Sequence, residues 1–411
     1  MKKFSPLLLL IVLSLSLVTF SCVEEVSPAS EEKKFIRIYD HTEFNAAFHA
    51  VDIKQTPDGG YLILAQRSFE TDAGQASNQG IYLLKADKTG KFVKDLTVDD
   101  QYINALPGLT EINGNYYFVC TSTDEFYTTQ IAVVDPELIG LDFTSVPLLY
   151  PSAVSTIGNA TKDFIILSYD PEEKESVVSI VSKEGAIKQS EGYSVGIGND
   201  LVDEKIIAHF SGTGEKFPFQ VGEVTTGQYF FNGFYNYSLS LAFVNLVEDA
   251  DPLGVIVAEY DDVGFNNVVP LGGGFFATSQ FNLNDNYVLP RTQLPTTGEL
   301  NPVLFDGAYK LPEFAENSGV KILRTQLGGK NMLIYGSDTK SKQIGLMFYD
   351  EATAKLTGNR YLGFTNPFEL GNMVKTLDGG LAVCGTTYIA GRFPRLSIIK
   401  LSKSEVEKEV K

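Results

Sequence analysis

Histidine is scarce in these 411 residues: His41, His49 and His209 are the only three, and none is spaced as a metal-binding pair such as H-E-x-x-H. The G-x-S-x-G elbow of a serine hydrolase is missing as well. These absences disfavour an enzyme without excluding one, and no catalytic residue, metal ligand or cofactor follows from the sequence. Lys and Arg form no clusters in a chain of formal net charge −18, so phosphate backbones are repelled and nucleic acid is excluded as a partner. Helical periodicity is hard to find. The apolar run Leu7 to Val18 is about twelve residues, short of the roughly 20 that span a bilayer.

What is there begins with a leader. "MKKFSPLLLLIVLSLSLVTFSC" has a charged start at Lys2 and Lys3, an apolar middle and small Ser21 just before Cys22. The stretch "VTFSC" resembles a bacterial lipobox, although Phe20 is bulkier than the usual residue there. The resemblance implies a signal peptide over 1–21, cleavage before Cys22 and a diacylglycerol on its sulfur, and several acyl chains anchor stably. Loss of the two lysines takes the formal charge from −18 to −20. Residues 22–34 read as a flexible acidic tether. Glu24 and Glu25 resemble the export tag of Bacteroidota-type surface lipoproteins, which implies the outer membrane, on its cell-surface side.

Short runs rich in Tyr, Phe, Ile and Val alternate with Gly, Asn, Asp and Pro, which is an all-β signature. "VDIKQTPDGGYLILAQRS" (51–68) and "NMVKTLDGGLAVCGTTY" (372–388) are copies of one unit, each with a strand, a DGG turn and an apolar strand. Weaker copies between them place equivalent turns at Gly60, Gly114, Lys162, Gly227, Gly273, Gly329 and Gly380. The mean spacing is about 53 residues, in the range of propeller blades. The expected fold is therefore a seven-bladed β-propeller of four-stranded antiparallel blades over 35–405. The last unit lacks a fourth strand, and "KFIRIYDH" (34–41) is an orphan that would complete it and remove two unpaired edges. "SKSEVEKEVK" (402–411) is charged and expected as a frayed tail or short helix, with 406–411 as the charged C-terminal tail. "PVLFDGAY" (302–309) is taken as the third strand of the fifth unit. Cys120 and Cys384, each in an apolar run, read as buried free thiols.

The T-x-D-G-G pattern resembles the propeller domains of lipoproteins in the same bacterial group, closely in the first and last units and weakly in the middle five. With no Trp, the chain has neither the WD dipeptide of WD repeats nor the Thr-Trp ending of sialidase Asp boxes. The glycine pairs are turns: "PLGGGFF" leads into a strand, so a phosphate loop is not expected.

Two segments are candidate contact surfaces. The enlarged fourth unit, 200–262, interleaves aromatics with polar residues, and Phe217, Phe219, Tyr235 and Tyr237 are its expected exposed members. The segment 281–302 reads as a polar, Pro-containing loop whose Asn284 and Asp285 offer oxygen atoms without an EF-hand spacing. His41 and His49 read as turn residues; His209 opens an irregular stretch and is the histidine placed to face a pocket. The reading is a lipid-anchored, non-catalytic binding or scaffold subunit at the bacterial outer membrane. The family resemblance implies envelope partners such as a TonB-dependent transporter complex or assembly machinery. The alternative is capture or hydrolysis of a glycan or peptide at the propeller mouth.

Overall fold

A computed structural model describes residues 34–40, 46–69, 79–158, 162–196, 200–211, 215–258, 263–300 and 307–410. Cys22, the tether and His41 lie outside them. The chain is a seven-bladed β-propeller closed into a ring. Its inner strands are Ala46–Gln55, Thr110–Ile112, Ala153–Ile157, Gln220–Thr225, Val263–Gly272, Lys321–Leu327 and Phe368–Lys375. All seven turn positions picked out in the sequence lie at the connection from inner to second strand.

The DGG turn shows why the end copies match best. Thr56 N–H donates to the Gly60 carbonyl at 2.9 Å and Gly59 N–H to the Thr56 carbonyl at 2.8 Å. Asp58 Oδ1 accepts from the Thr56 hydroxyl and from Gly60 N–H. Thr376, Asp378 and Gly380 repeat the arrangement, with Thr376 Oγ1 2.5 Å from Asp378 Oδ1. The first glycine needs positive φ, +82° at Gly59 and +83° at Gly379. The second needs room, because a Cβ at Gly60 would sit 2.5 Å from the Ala86 carbonyl and one at Gly380 would sit 2.2 Å from that of Leu401.

Blades stack face to face, so their middle strands are buried on both sides and read as continuous apolar runs such as "GIYLLKA" and "RLSIIKL". Outer strands such as Phe92–Thr97 face water. Seven apolar clusters are the seven inter-blade layers. Cys120 packs between blades 1 and 2 and Cys384 between blades 7 and 1, each as a buried free thiol. Blades 1 and 2 are further joined by the short strand Tyr102–Ile103 into one nine-stranded sheet.

Closure follows the sequence expectation. Phe35–Tyr39 pairs antiparallel with Arg395–Leu401 as the outer strand of blade 7, with Ile36 opposite Ile399 and Tyr39 opposite Leu396. The fully buried Arg395 fixes the seam: Nε donates to Asp40 at 3.1 Å and Nη1 to the Ala46 carbonyl at 2.6 Å.

Residues 403–408 form the short helix expected as one alternative for the chain end, and three other expectations need correction. Ser402 and Glu405 make a capping box, and Val406 and Val410 are buried between blades 6 and 7. The third strand of blade 5 is Asp285–Gln293, and Tyr309–Lys310 is the fourth; residues 302–306 lie outside the described set. Pro290 hid this strand, and it is tolerated because it sits in a bulge of its own strand, where Pro290 and Arg291 lie between the residues paired with Phe276 and Thr278. Gly298–Leu300 then extends blade 4 as a parallel edge strand, so 281–302 is mostly paired strand and not a loop. Finally, His49 belongs to the first inner strand, not to a turn, and His209 lies in the helix Asp200–Ser211. That helix buries Val202, Ile206 and Phe210, spaced by four, on one face.

Candidate binding site in the central channel

Antiparallel order puts the connections between successive blades at the same end of the ring as the turns between second and third strands. At this end lies a cavity of about 700 Å³ to which all seven blades contribute. Such a volume is within the usual range for small-ligand sites. Asp52 and Lys54 come from blade 1, Asn104 to Thr110 lead into blade 2, and Ser155 and Thr156 come from blade 3. Gln220, Asn267, Lys321 and Asn372 represent blades 4 to 7. Side chains two apart on an inner strand share a face, which is how Asp52 and Lys54 both reach the channel.

Part of the wall is a plug made by the helix Asp200–Ser211 and the chain to Gln220. His209 Nδ1 accepts Phe217 N–H at 2.9 Å, and Lys216 Nζ donates to the His209 carbonyl at 2.9 Å. The ring also hydrogen-bonds the Glu215 backbone, and burial pushes its pKa down to about 4, so the imidazole is neutral at pH 7. His209 does face the pocket as the sequence suggested, but its hydrogen bonds are spent on holding the plug. Asn232 Nδ2 donates to the carbonyls of Pro218 and Phe265 at 2.7 and 2.9 Å, tying plug, blade 4 and blade 5 together.

Asp52 is the only acidic side chain among the described channel residues, and it is fully committed. Oδ1 accepts Asn372 Nδ2 and Ile53 N–H, both at 2.7 Å. Oδ2 accepts Gly108 N–H at 2.9 Å and Leu109 N–H at 2.8 Å. The described residues contain no group of three or more His, Cys, Asp or Glu able to hold a metal. Lys321 is half-buried in the wall, where loss of water pushes its ammonium pKa down and the nearby Asp52 charge opposes the shift.

The residues singled out in the sequence do not form one site. Phe217 is buried, 7% exposed, with Phe234 5.0 Å away; Phe219 is half-buried and packs edge-on against His209 at 4.8 Å. Both line the channel, so the expectation of exposed aromatics is corrected to aromatics inside the mouth. Tyr235 is half-buried and packs on the layer between blades 3 and 4. Tyr237 is 43% exposed in a hairpin turn, its N–H donated to the Val195 carbonyl. Asn284 lies in the hairpin before the third strand of blade 5, and Asp285 pairs with Lys310 at 2.7 Å. Asn286 donates to the Ala315 carbonyl, so these oxygens are not gathered around a common point by any described contact. The sequence reading missed Asp52, Lys54, Lys321 and Asn372. For Asp52 and Lys54 the signal was present as polar residues alternating with apolar ones in "VDIKQ" at the start of the first unit.

No protein-family model matches the chain, and no curated protein matches it. Solved structures similar to it include the β-propeller domain of the Trilobed protease from Pyrococcus furiosus, described as having an open velcro topology. Identity is 8%, coverage 89% of this chain and 98% of that one, and the TM-score 0.45. Trypanosoma rangeli sialidase is 9% identical at a TM-score of 0.44, over 89% of this chain and 56% of its own. A variant of NanB sialidase from Streptococcus pneumoniae is 10% identical at 0.44, over 92% and 72%. The likeness is one of propeller architecture.

Proposed function

We propose that the protein is a non-catalytic binding propeller, moored by a lipid on Cys22 at the outer membrane of a bacterium, that takes its ligand into the central channel. The observation that carries the binding reading is the state of Asp52. The one carboxylate in the described channel wall is engaged by four donors, which supports a binding reading over a hydrolytic one. Amides at Asn104 and Asn267 and the aromatic side chains of Phe217 and Phe219 suit the recognition of a small polar molecule.

A scaffold role would be favoured by one broad apolar surface. The exposed large apolar side chains instead recur in every blade, for example Phe92, Phe126, Ile187, Val247, Tyr309, Leu356 and Leu377. The channel therefore has the stronger claim as the ligand-binding surface, with envelope partners secondary. Thr156, exposed on the inner strand of blade 3, offers a test. Thr156→Trp is expected to abolish retention of co-purifying small molecules, read by native mass spectrometry, while leaving the melting temperature within a few degrees. Turnover of a retained glycan or peptide by the wild type would reject the non-catalytic reading.

A further inference from the structure

The channel contradicts the charge of the molecule around it. The chain is strongly acidic, with 51 Asp and Glu against 33 Lys and Arg. The described channel wall nevertheless holds Lys54, Lys216 and Lys321 against Asp52 alone. Asp52 is held by four neutral hydrogen-bond donors, and its single charge, which also acts on Lys321, does not balance three lysines. Lys216 is turned to the His209 carbonyl, a neutral partner. Lys54 and Lys321 make no hydrogen bond or ion pair with any described residue.

An unpaired ammonium in a partly dry wall is costly to keep unless something answers it. Elsewhere this protein pairs its buried lysines: Lys85 with Glu137 at 2.7 Å and Lys400 with Asp378 at 3.0 Å. Leaving the channel lysines unpaired is thus a local departure from the chain's own habit. A low-dielectric cleft lined by one sign of charge also focuses its field on the opening.

We propose that the channel ligand is a hydroxyl-rich anion, an acidic saccharide whose negative group sits at Lys54 and Lys321 while its hydroxyls meet the channel amides. This rests on the channel being the binding site. Asn104 and Asn267 supply donors and acceptors for hydroxyls, and Phe219 offers an apolar face against which a sugar ring can lie. The cavity volume of about 700 Å³ admits a ligand of a few rings. Carboxylate and phosphate share the chemistry that the lysines read, and the probes below separate them.

The test is calorimetric titration of the full chain, in detergent, with trigalacturonate, glucose 6-phosphate and neutral maltotriose. The same titrations are run on Lys54→Met, Lys321→Met and Thr156→Trp, with melting temperatures as the check on folding. Expected is binding of a charged probe, weakened at least tenfold by either methionine variant and by added salt, lost in Thr156→Trp, with maltotriose much weaker. A trigalacturonate response alone assigns a carboxylate, and a glucose 6-phosphate response alone assigns a phosphate. Maltotriose binding as tightly as the charged probes, blocked by Thr156→Trp but indifferent to both methionines, overturns the anion assignment while sparing the channel. Binding that survives Thr156→Trp overturns the channel itself, and no binding of any probe overturns the acidic-saccharide assignment.

Discussion

Asn372 donates its side-chain amide to Asp52 at 2.7 Å across 320 positions of sequence, joining the inner strands of the last and first blades beside the channel. The same carboxylate holds the entry to blade 2 through Gly108 and Leu109. One side chain therefore registers three blades. Asp52→Ala is expected to cost about 3 kcal/mol or more, because it strands several buried donors at once. Asn372→Ala removes a single donor and should cost about 1–2 kcal/mol. Urea denaturation of the two single variants and the double variant measures this, and a double variant equal to the sum of the singles would refute the coupling.

Arg395 acts on the other side of the same seam. Its guanidinium reaches Asp40 after the outer strand and Ala46 at the start of blade 1. Arg395→Met keeps most of the volume and leaves the Ala46 carbonyl unpaired, for an expected loss of about 2–4 kcal/mol. Proteolysis should then begin near residues 34–46. An unchanged cleavage pattern would show that closure does not depend on this contact.

Asp338 gives a pH signature. It ends the second strand of blade 6 and accepts Leu370 N–H from blade 7 at 2.6 Å, and burial pushes its pKa up to about 6. With the folded pKa above the unfolded one, the folded state holds the proton more tightly. Its stabilising contribution is full below about pH 4 and is lost as pH rises to about 6. Asp338→Asn keeps an acceptor for Leu370 and avoids the buried charge, so it should raise stability at pH 7 by about 1–3 kcal/mol and change little at pH 4. Melting curves at the two pH values settle the sign.

The two kinds of glycine should separate on substitution. Gly60→Ala drives a Cβ toward the Ala86 carbonyl and should cost about 2–4 kcal/mol. Gly114 has open space but a φ of +84°, so Gly114→Ala should cost about 1 kcal/mol. Equal losses, measured by thermal melting, would mean that the close approach at Gly60 is relieved by backbone movement.

Lipidation is tested separately. Cys22→Ser in the full-length chain should abolish incorporation of labelled fatty acid and shift the protein from the membrane to the soluble fraction. Unaltered fractionation would remove the anchor from the proposal.

The ring was legible because every inner-to-second turn carries a local mark, enforced by close packing at Gly60 and Gly380 and by positive φ at Gly114, Lys162, Gly227, Gly273 and Gly329. The velcro strand was legible from a missing partner, since Phe35–Tyr39 had nowhere else to pair. Pro290 concealed a strand because a proline inside an apolar run reads as a break, and the bulge that accommodates it shows only once the partner strand is paired. The helix at 200–211 was overlooked, although Val202, Ile206 and Phe210 carry its period. The channel was mostly illegible: Asp52, Lys321 and Asn372 are far apart in sequence and meet only once the ring closes. Phe217 and Phe219 marked the right segment, yet composition gave no sign that they turn inward.

The most direct measurement is a crystal structure of the wild-type propeller grown with trigalacturonate. The expected result is ligand density inside the channel with a carboxylate within about 4 Å of the Lys54 or Lys321 ammonium. Ligand density on the outer strands, with the channel holding only water, would contradict it.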